Sequence, residues 1–192
     1  MQMETEITVL VKSDYKTLQK KLEEKGFQID EEYILNDVYM LDERIDISKM
    51  NYLEILKNCI LVRNVIGFEM ELLYKYKKYD TNGDILEQGK VKCPITDVEM
   101  AVKFMKTIHY KRMFDINDDC IVYTNGKNKL AVQLVNDKYI FIEMESDENN
   151  GKSVDEMKSD LLSYNLPIDE SNFFVKKAEL MLKEVLEKII VF

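Results

Sequence analysis

Hydrophobic and polar residues alternate with a period of two along much of this chain, which is the pattern of half-buried β-strands. The first such segment covers residues 4–11, where Glu4, Glu6 and Thr8 share one face and mostly apolar residues share the other. A late segment repeats the pattern with Glu143 and Glu145. Side chains two apart on a strand point the same way, so each pair offers two neighbouring carboxylates from one surface.

Further strands are predicted from runs of branched and aromatic residues between these two acidic segments. They cover residues 27–30, 33–41, 58–65, 68–79, 85–93, 110–116, 120–123 and 129–135, and the late acidic strand covers residues 138–144. Turn signals at Asn82-Gly83 and Asn136-Asp137 predict hairpins between neighbouring strands. The polar stretch over residues 42–51 is predicted to be a loop.

Four helices are predicted from capping residues and from apolar residues that recur on one helical face. The first begins at an N-cap, Ser13, and ends at Gly26, which suits the left-handed position after a helix. The second begins with a capping box that starts at Thr96, and the third begins at Ser153. The fourth is a long helix over residues 173–190.

Strands that are linked by hairpins and interrupted by helices predict an α+β fold built on an antiparallel sheet of about eight strands. A twisted sheet of that size tends to curl or close, and the polar strand faces would then line a wet interior. We therefore expect an antiparallel β-barrel or tunnel with helices packed outside. No Pro- or Gly-rich linker divides the sequence, so we predict a single domain over residues 1–192, with C-terminal helices from about residue 153.

Composition and charge narrow the classes of function. The net charge of −9 argues against nucleic acid or an anionic membrane as a partner, because neither would meet a basic surface. The sequence shows neither a targeting segment nor an apolar run that could span a bilayer, so we expect a cytoplasmic protein. The three cysteines are far apart and His109 is the only histidine, which leaves carboxylates, Lys, Arg and metal as the expected chemistry.

The two glutamate pairs are candidate ligands for a divalent metal ion. If both pairs face a wet interior, their carboxylates repel one another unless a cation joins them, and Mg²⁺ and Mn²⁺ prefer oxygen ligands. The alternative is that both pairs lie on the solvated face of ordinary strands, since alternation is also the signature of any half-buried strand.

A set of short motifs lies in a recognisable order between residues 3 and 145. It comprises Glu4 and Glu6 on the opening strand, Asp37 and Tyr39 two residues apart, Arg63, Lys75, Glu87, and Glu143 and Glu145 in a Phe-x-Glu-x-Glu strand. In this order and spacing the chain resembles the CYTH family, the triphosphate tunnel enzymes that include class IV adenylyl cyclases and thiamine triphosphatase.

The resemblance implies a tunnel in which Lys and Arg grip a linear triphosphate while glutamates hold one or two divalent metals. On that basis Arg63 and Lys75 are the expected phosphate-binding residues, with a structural ion pair to the glutamates as the alternative. The expected ligands of Mg²⁺ or Mn²⁺ are Glu4, Glu6, Glu143 and Glu145.

The chain departs from the family pattern at several positions. Thr8 stands where the family has Lys, Asp118 and Cys120 stand where it has Lys and Arg, and Gln133 stands where it has Asp. Two hypotheses follow from these departures. In the first, the chain is a metal-dependent hydrolase of inorganic, nucleoside or thiamine triphosphate, or an adenylyl cyclase; hydrolysis is favoured because attack by water demands less of the site than positioning a ribose hydroxyl. Alternatively it is a catalytically degenerate tunnel-fold protein that binds a phosphorylated ligand or a protein partner. A homodimer is compatible with both.

Overall fold

The computed structural model describes residues 5–79, 85–146 and 151–190. Within these ranges it has eight strands, five α-helices and a short 3-10 turn over Ile47–Lys49. The strands are β1 (Thr5–Leu10), β2 (Gln28–Asp42), β3 (Cys59–Val65), β4 (Glu69–Tyr79), β5 (Ile85–Pro94), β6 (Tyr110–Thr124), β7 (Lys129–Val135) and β8 (Tyr139–Ser146). The helices are α1 (Tyr15–Glu24), α2 (Tyr52–Lys57), α3 (Val98–Thr107), α4 (Val154–Ser163) and α5 (Lys177–Ile190).

The eight strands form one sheet in the order β1-β8-β7-β6-β2-β3-β4-β5. The predicted α+β class is confirmed, but the prediction of a closed barrel is wrong, because the described sheet ends at β1 and β5 without pairing them. A local cause is visible at β1. The backbone of Thr8 accepts a hydrogen bond from the N–H of Val175 and donates one to the carbonyl of Phe173, so the chain around Phe174 occupies the outer edge of this strand.

The chain divides into two compact units. The first unit contains β1, α1, β7, β8, α4 and adjoining parts of β2, β4, β5 and β6. Its core lies between one sheet face and helices α1 and α4. The fully buried side chains there include Ile7, Val9, Leu18, Leu22, Tyr123, Leu130, Val132, Ile142, Met157 and Leu161. In β1 and β8 the residues between these apolar positions, including both glutamates of β8, therefore point to the opposite sheet face.

The second unit contains β3, α2, α3, α5 and the remaining parts of the strands that the two units share. Helix α3 buries Ala101 and Met105 against Met40 of β2 and Val62 of β3. Helices α2 and α5 pack on each other. As in the first unit, the apolar strand face lies under a helix, and the polar residues of β2, β3 and β4 alternate onto the other face.

Several predicted element boundaries differ from the structure. The two segments predicted before residue 42 are one strand, β2, and the segments on either side of residues 117–119 are one strand, β6. In both places the prediction divided one strand at a polar run, whereas the strand continues through it; Asp118 lies opposite Val135 of β7. Helix α5 begins at Lys177 and not at residue 173, because the preceding residues pair with β1.

The helix ends show where local signals were informative. The N-caps of α1 and α3 are Asp14 and Asp97, one residue after the predicted Ser13 and Thr96. The helix start at Ser153 is confirmed, and Ser153 and Glu156 form a capping box there. Helix α2 lies beside the predicted loop and was missed, although Asn51 and Glu54 form a capping box. Gly26 has the predicted left-handed backbone, with φ of +80°.

Two further predictions concern turns and membrane spans. Asn136 and Asp137 both have positive φ, which confirms the hairpin between β7 and β8. The Asn82-Gly83 turn lies outside the described residues. None of the described helices is long and apolar enough to cross a membrane.

A polar cluster joins α4 to the loop between β6 and β7. Asp160 of α4 accepts hydrogen bonds from Lys127 at 2.8 Å and from Lys152 at 2.6 Å. Asn128 donates its side-chain amide to the hydroxyl of Tyr164 at 2.6 Å. The two lysine hydrogen bonds hold the pKa of Asp160 well below its ordinary value of 3.8.

We predict that Asp160→Asn lowers the free energy of unfolding at pH 7 by about 1 kcal/mol, since the carboxylate is partly exposed. A lowered carboxyl pKa stabilises the folded state above the unfolded pKa, and this stabilisation is lost as the pH falls. The difference between the two proteins should therefore shrink below about pH 4. Urea unfolding across pH tests this, with the exposed Asp119→Asn as control. A pH-independent difference would contradict it.

Candidate functional site

A cluster of three carboxylates lies on β1 and β8 in the first unit. The antiparallel register places Glu6 opposite Glu145 and Thr8 opposite Glu143. One oxygen from each of Glu6, Glu143 and Glu145 lies within 4.8 Å of the others. Glu6 and Glu143 are half-buried and Glu145 is exposed. We call these three residues the acidic triad.

The sequence places the triad through strand alternation alone. Ile7 follows Glu6, and Met144 lies between Glu143 and Glu145; both are buried in the core under α1 and α4, which turns the glutamates to the opposite face. The pairing of β1 with β8 thereby brings Glu6 next to two glutamates that lie more than 130 positions further along the chain. Three clustered carboxylate oxygens are the donor type that Mg²⁺ and Mn²⁺ take. The residues present therefore fit a hard divalent cation.

Tyr33 of β2 lies beside this cluster. Burial raises the pKa of its phenol, and a hydrogen bond with Cys120 and the charges of Glu143 and Asp118 raise it further. Tyr33 consequently keeps its proton at neutral pH and can act as a hydrogen-bond donor there. The sequence did not identify Tyr33 as a site residue, because tyrosine is an ordinary strand residue and belongs here to no motif.

The positions where the resemblance expects cations are buried in the first unit. Thr8, Asp118 and Cys120 are all almost inaccessible, and Cys120 lies opposite Gln133, which is buried as well. The register with β8 puts Thr8 next to Glu143. A lysine at residue 8 would therefore lie against the triad, and threonine gives no charge there.

Arg63 belongs to the second unit, where it forms a buried ion pair. Its Nε and Nη2 each donate to one carboxylate oxygen of Asp37 at 2.7 Å. The side chains are 14% and 4% exposed. Burial alone would lower the pKa of Arg63, but the hydrogen bonds and charge of Asp37 outweigh it and raise the pKa. The ion pair that was expected as the alternative does form, but with Asp37 and not with a glutamate of either predicted pair.

Glu71 lies directly opposite Arg63 on the neighbouring strand β4. It is 3% exposed, and its Oε2 lies 3.2 Å from Nζ of Lys92. Glu69, on the same strand face, lies 3.4 Å from the same ammonium group and is half exposed. The sequence did not indicate a role for Glu71, because it belongs to no recognisable motif. Its importance follows only from the strand register, which places it opposite Arg63.

Lys75 and Glu4 are the two remaining residues of the predicted site. Lys75 is half-buried on β4, two alternations along from Glu71 and so on the same strand face. Glu4 lies outside the described residues. The structure thus brings three of the four predicted metal ligands together, and it places Arg63 and Lys75 on neighbouring strands of the second unit.

Comparison with known proteins gives a fold and no close relative. No protein-family model and no curated protein matches the chain. Among solved structures, the PH1012 protein of Pyrococcus horikoshii OT3 aligns with a TM-score of 0.65 at 16% identity, covering 93% of this chain and 99% of that one.

Two other similar structures carry a functional description. A candidate adenylyl cyclase from Hippeastrum, described as revealing a dominant triphosphatase activity, aligns with a TM-score of 0.60 at 10% identity over 96% of both chains. A candidate adenylate cyclase from Vibrio parahaemolyticus aligns with a TM-score of 0.58 at 12% identity, covering 97% of this chain and 98% of that one. The element order, the antiparallel sheet and these alignments together identify the chain as a protein with the CYTH fold.

Proposed function

We propose that this protein binds a divalent metal ion through the acidic triad and hydrolyses a phosphoanhydride, with a triphosphate as the class of substrate. The observation that carries the proposal is the convergence of Glu6, Glu143 and Glu145 within 4.8 Å on a CYTH fold. The description of the Hippeastrum protein, which is dominantly a triphosphatase, supports hydrolysis ahead of cyclisation.

The triad supplies the metal ligands in this proposal. When bound, Mg²⁺ or Mn²⁺ neutralises phosphate charge and activates an attacking water. The half-buried Glu6 and Glu143 would hold the ion, and the exposed Glu145 would supply a third carboxylate ligand from the solvent side. The Tyr33 hydroxyl, which keeps its proton, offers a hydrogen-bond donor beside Glu143.

Arg63 and Lys75 are the proposed phosphate-binding residues. Asp37 takes only the Nε and Nη2 edge of the guanidinium. Arginine has five N–H groups, and within the described residues three of them form no hydrogen bond, so they can donate to a phosphate oxygen. The ion pair also fixes the orientation of the side chain, which reduces the entropy that a ligand contact must overcome.

A second function is favoured by the buried positions without cations. Thr8, Asp118 and Cys120 lie on buried strand positions where lysine or arginine is expected. A triphosphate carries about four negative charges, and burying it without compensation is costly. A protein that binds a smaller phosphorylated ligand, with weak or no turnover, is therefore the alternative. Hydrolysis still demands less of the site than positioning a ribose hydroxyl for cyclisation.

We predict that Mn²⁺ or Mg²⁺ raises the melting temperature in proportion to the logarithm of metal concentration above its dissociation constant. The double substitution Glu143→Gln with Glu145→Gln should abolish this shift, because it leaves one of the three carboxylates. Thermal unfolding over a metal titration measures it.

The matched control is Glu23→Gln with Glu24→Gln, which removes the same charge from the exposed face of α1. This control should keep the metal response. A full response in the Glu143/Glu145 variant would place the ion elsewhere and contradict the proposal.

For activity, we expect slow metal-dependent release of phosphate from inorganic or nucleoside triphosphate and little or no cyclic AMP. Each missing charge-assisted contact should cost about 1.5–3 kcal/mol of binding free energy, so triphosphate affinity should be weak. Phosphate release and cyclic AMP formation are measured side by side with Mn²⁺ and with Mg²⁺.

The variant Thr8→Lys, Asp118→Lys, Cys120→Arg should bind triphosphate more tightly than the native protein, if it remains folded by circular dichroism. Asp119→Lys is its control, because it adds a cation at an exposed position of the same strand. Fast turnover by the native protein that survives Glu143→Gln would show that the triad is not the metal site.

A further inference from the structure

The buried carboxylate of Glu71 is the feature of the second unit that the proposed function does not use. Its Oε2 contacts Lys92, but its Oε1 is buried and has no hydrogen-bond partner in the described part of the chain. Buried acceptors are normally satisfied, so an orphaned one is expected to have a ligand or water as its partner. A carboxylate oxygen accepts hydrogen bonds and cannot donate them while it is ionised.

The position of Glu71 relates this acceptor to Arg63. The two residues are direct partners in the β3–β4 register, which brings their side chains to the same face about 5 Å apart at Cβ. The charge of Glu71 contributes to the raised pKa of Arg63. Within the described ranges, however, Arg63 forms its ion pair with Asp37 alone.

Asp37 therefore holds one edge of the Arg63 guanidinium, and the other edge forms no hydrogen bond within the described residues. The Nη1 group and one N–H of Nη2 remain after the two hydrogen bonds to Asp37. This end-on edge matches two oxygens of a phosphate or sulfate group. An oxyanion that docks there meets Glu71 on the adjacent strand.

We propose that Glu71 is a specificity-determining residue that admits only oxyanions carrying a proton. An oxyanion with a hydroxyl, such as hydrogen phosphate or a terminal phosphate in its protonated form, can donate a hydrogen bond to Oε1 while its other oxygens accept from Arg63. A fully ionised oxyanion such as sulfate has no proton to donate, and it meets a buried like charge instead. Its binding leaves the acceptor unsatisfied, which selects against it.

This inference rests on the proposed phosphate role of Arg63 and deepens it. It concerns a ligand group and not the hydrolytic step, so it is tested without divalent metal and without a phosphoanhydride. A failure of metal-dependent hydrolysis would therefore leave the result of this test unchanged.

The test compares inorganic phosphate with sulfate, which has the same tetrahedral shape but no proton in the neutral range. Isothermal titration at constant ionic strength in chelator-treated buffer gives both affinities. We expect the native protein to bind phosphate at least about tenfold more tightly than sulfate, because the acceptor rejects the unprotonated anion. Glu71→Gln should bring the two affinities within about threefold of each other, since an amide can donate to either anion.

Two control variants test whether the preference for phosphate depends on Glu71 and Arg63 in particular. Glu69→Gln removes a neighbouring carboxylate that also contacts Lys92 but is half exposed, and it should keep the native preference. Arg63→Lys keeps the positive charge but removes the paired N–H donors of the guanidinium, and it should weaken phosphate binding about tenfold. The native comparison stands without any variant.

Equal affinities for phosphate and sulfate in the native protein would overturn the inference, and so would no binding of either anion. An unchanged preference in folded Glu71→Gln would also overturn it.

Discussion

Compensation of charge on the polar face of the sheet is the constraint on which the rest of this structure depends. Helices cover the apolar strand faces, so every charged residue that alternates with the core must point the other way. There, Asp37 is almost fully buried and is stabilised by two hydrogen bonds from Arg63. Removing one partner of such a pair leaves a buried charge and costs about 3–5 kcal/mol. Local charge balance thus decides what this face can bind.

The same constraint gives different chemistry in the two units. In the first unit, three carboxylates converge on one strand pair, and their mutual repulsion favours a divalent cation. In the second unit, Arg63 and Lys92 are each already engaged by carboxylates. These carboxylates hold the two cationic side chains in place and already balance part of their charge. Arg63 can therefore offer a ligand only the N–H groups that Asp37 does not use.

Much of the fold could be predicted from the sequence because its signals are local. Alternation and runs of branched and aromatic residues located all eight strands, although β2 and β6 were each predicted as two segments. The turn at Asn136-Asp137 and the helix start at Ser153 are confirmed. The errors arose where tertiary pairing overrides local preference. The prediction divided β2 and β6 at polar runs, and it made the chain before Lys177 helical although that chain pairs with β1. The closed barrel was wrong for a related reason, since closure depends on pairing between the two edge strands of the sheet, β1 and β5, which no local signal encodes.

The site was predictable in part for similar reasons. Strand alternation and the CYTH resemblance pointed to Glu6, Glu143 and Glu145, and the structure brings these three together. The partner of Arg63 and the position of Glu71 were not predictable, because both depend on the register of β3 with its neighbours. Register is set by the whole hydrophobic pattern of a sheet, which single motifs do not encode.

The most direct test of this account is to locate the metal. Crystals grown or soaked with Mn²⁺, with diffraction data collected to record its anomalous signal, would show the ion by position and without reference to activity. The account predicts an anomalous peak within coordination distance of carboxylate oxygens of Glu6, Glu143 and Glu145. A peak at other residues, or its persistence in Glu143→Gln with Glu145→Gln, would contradict the account.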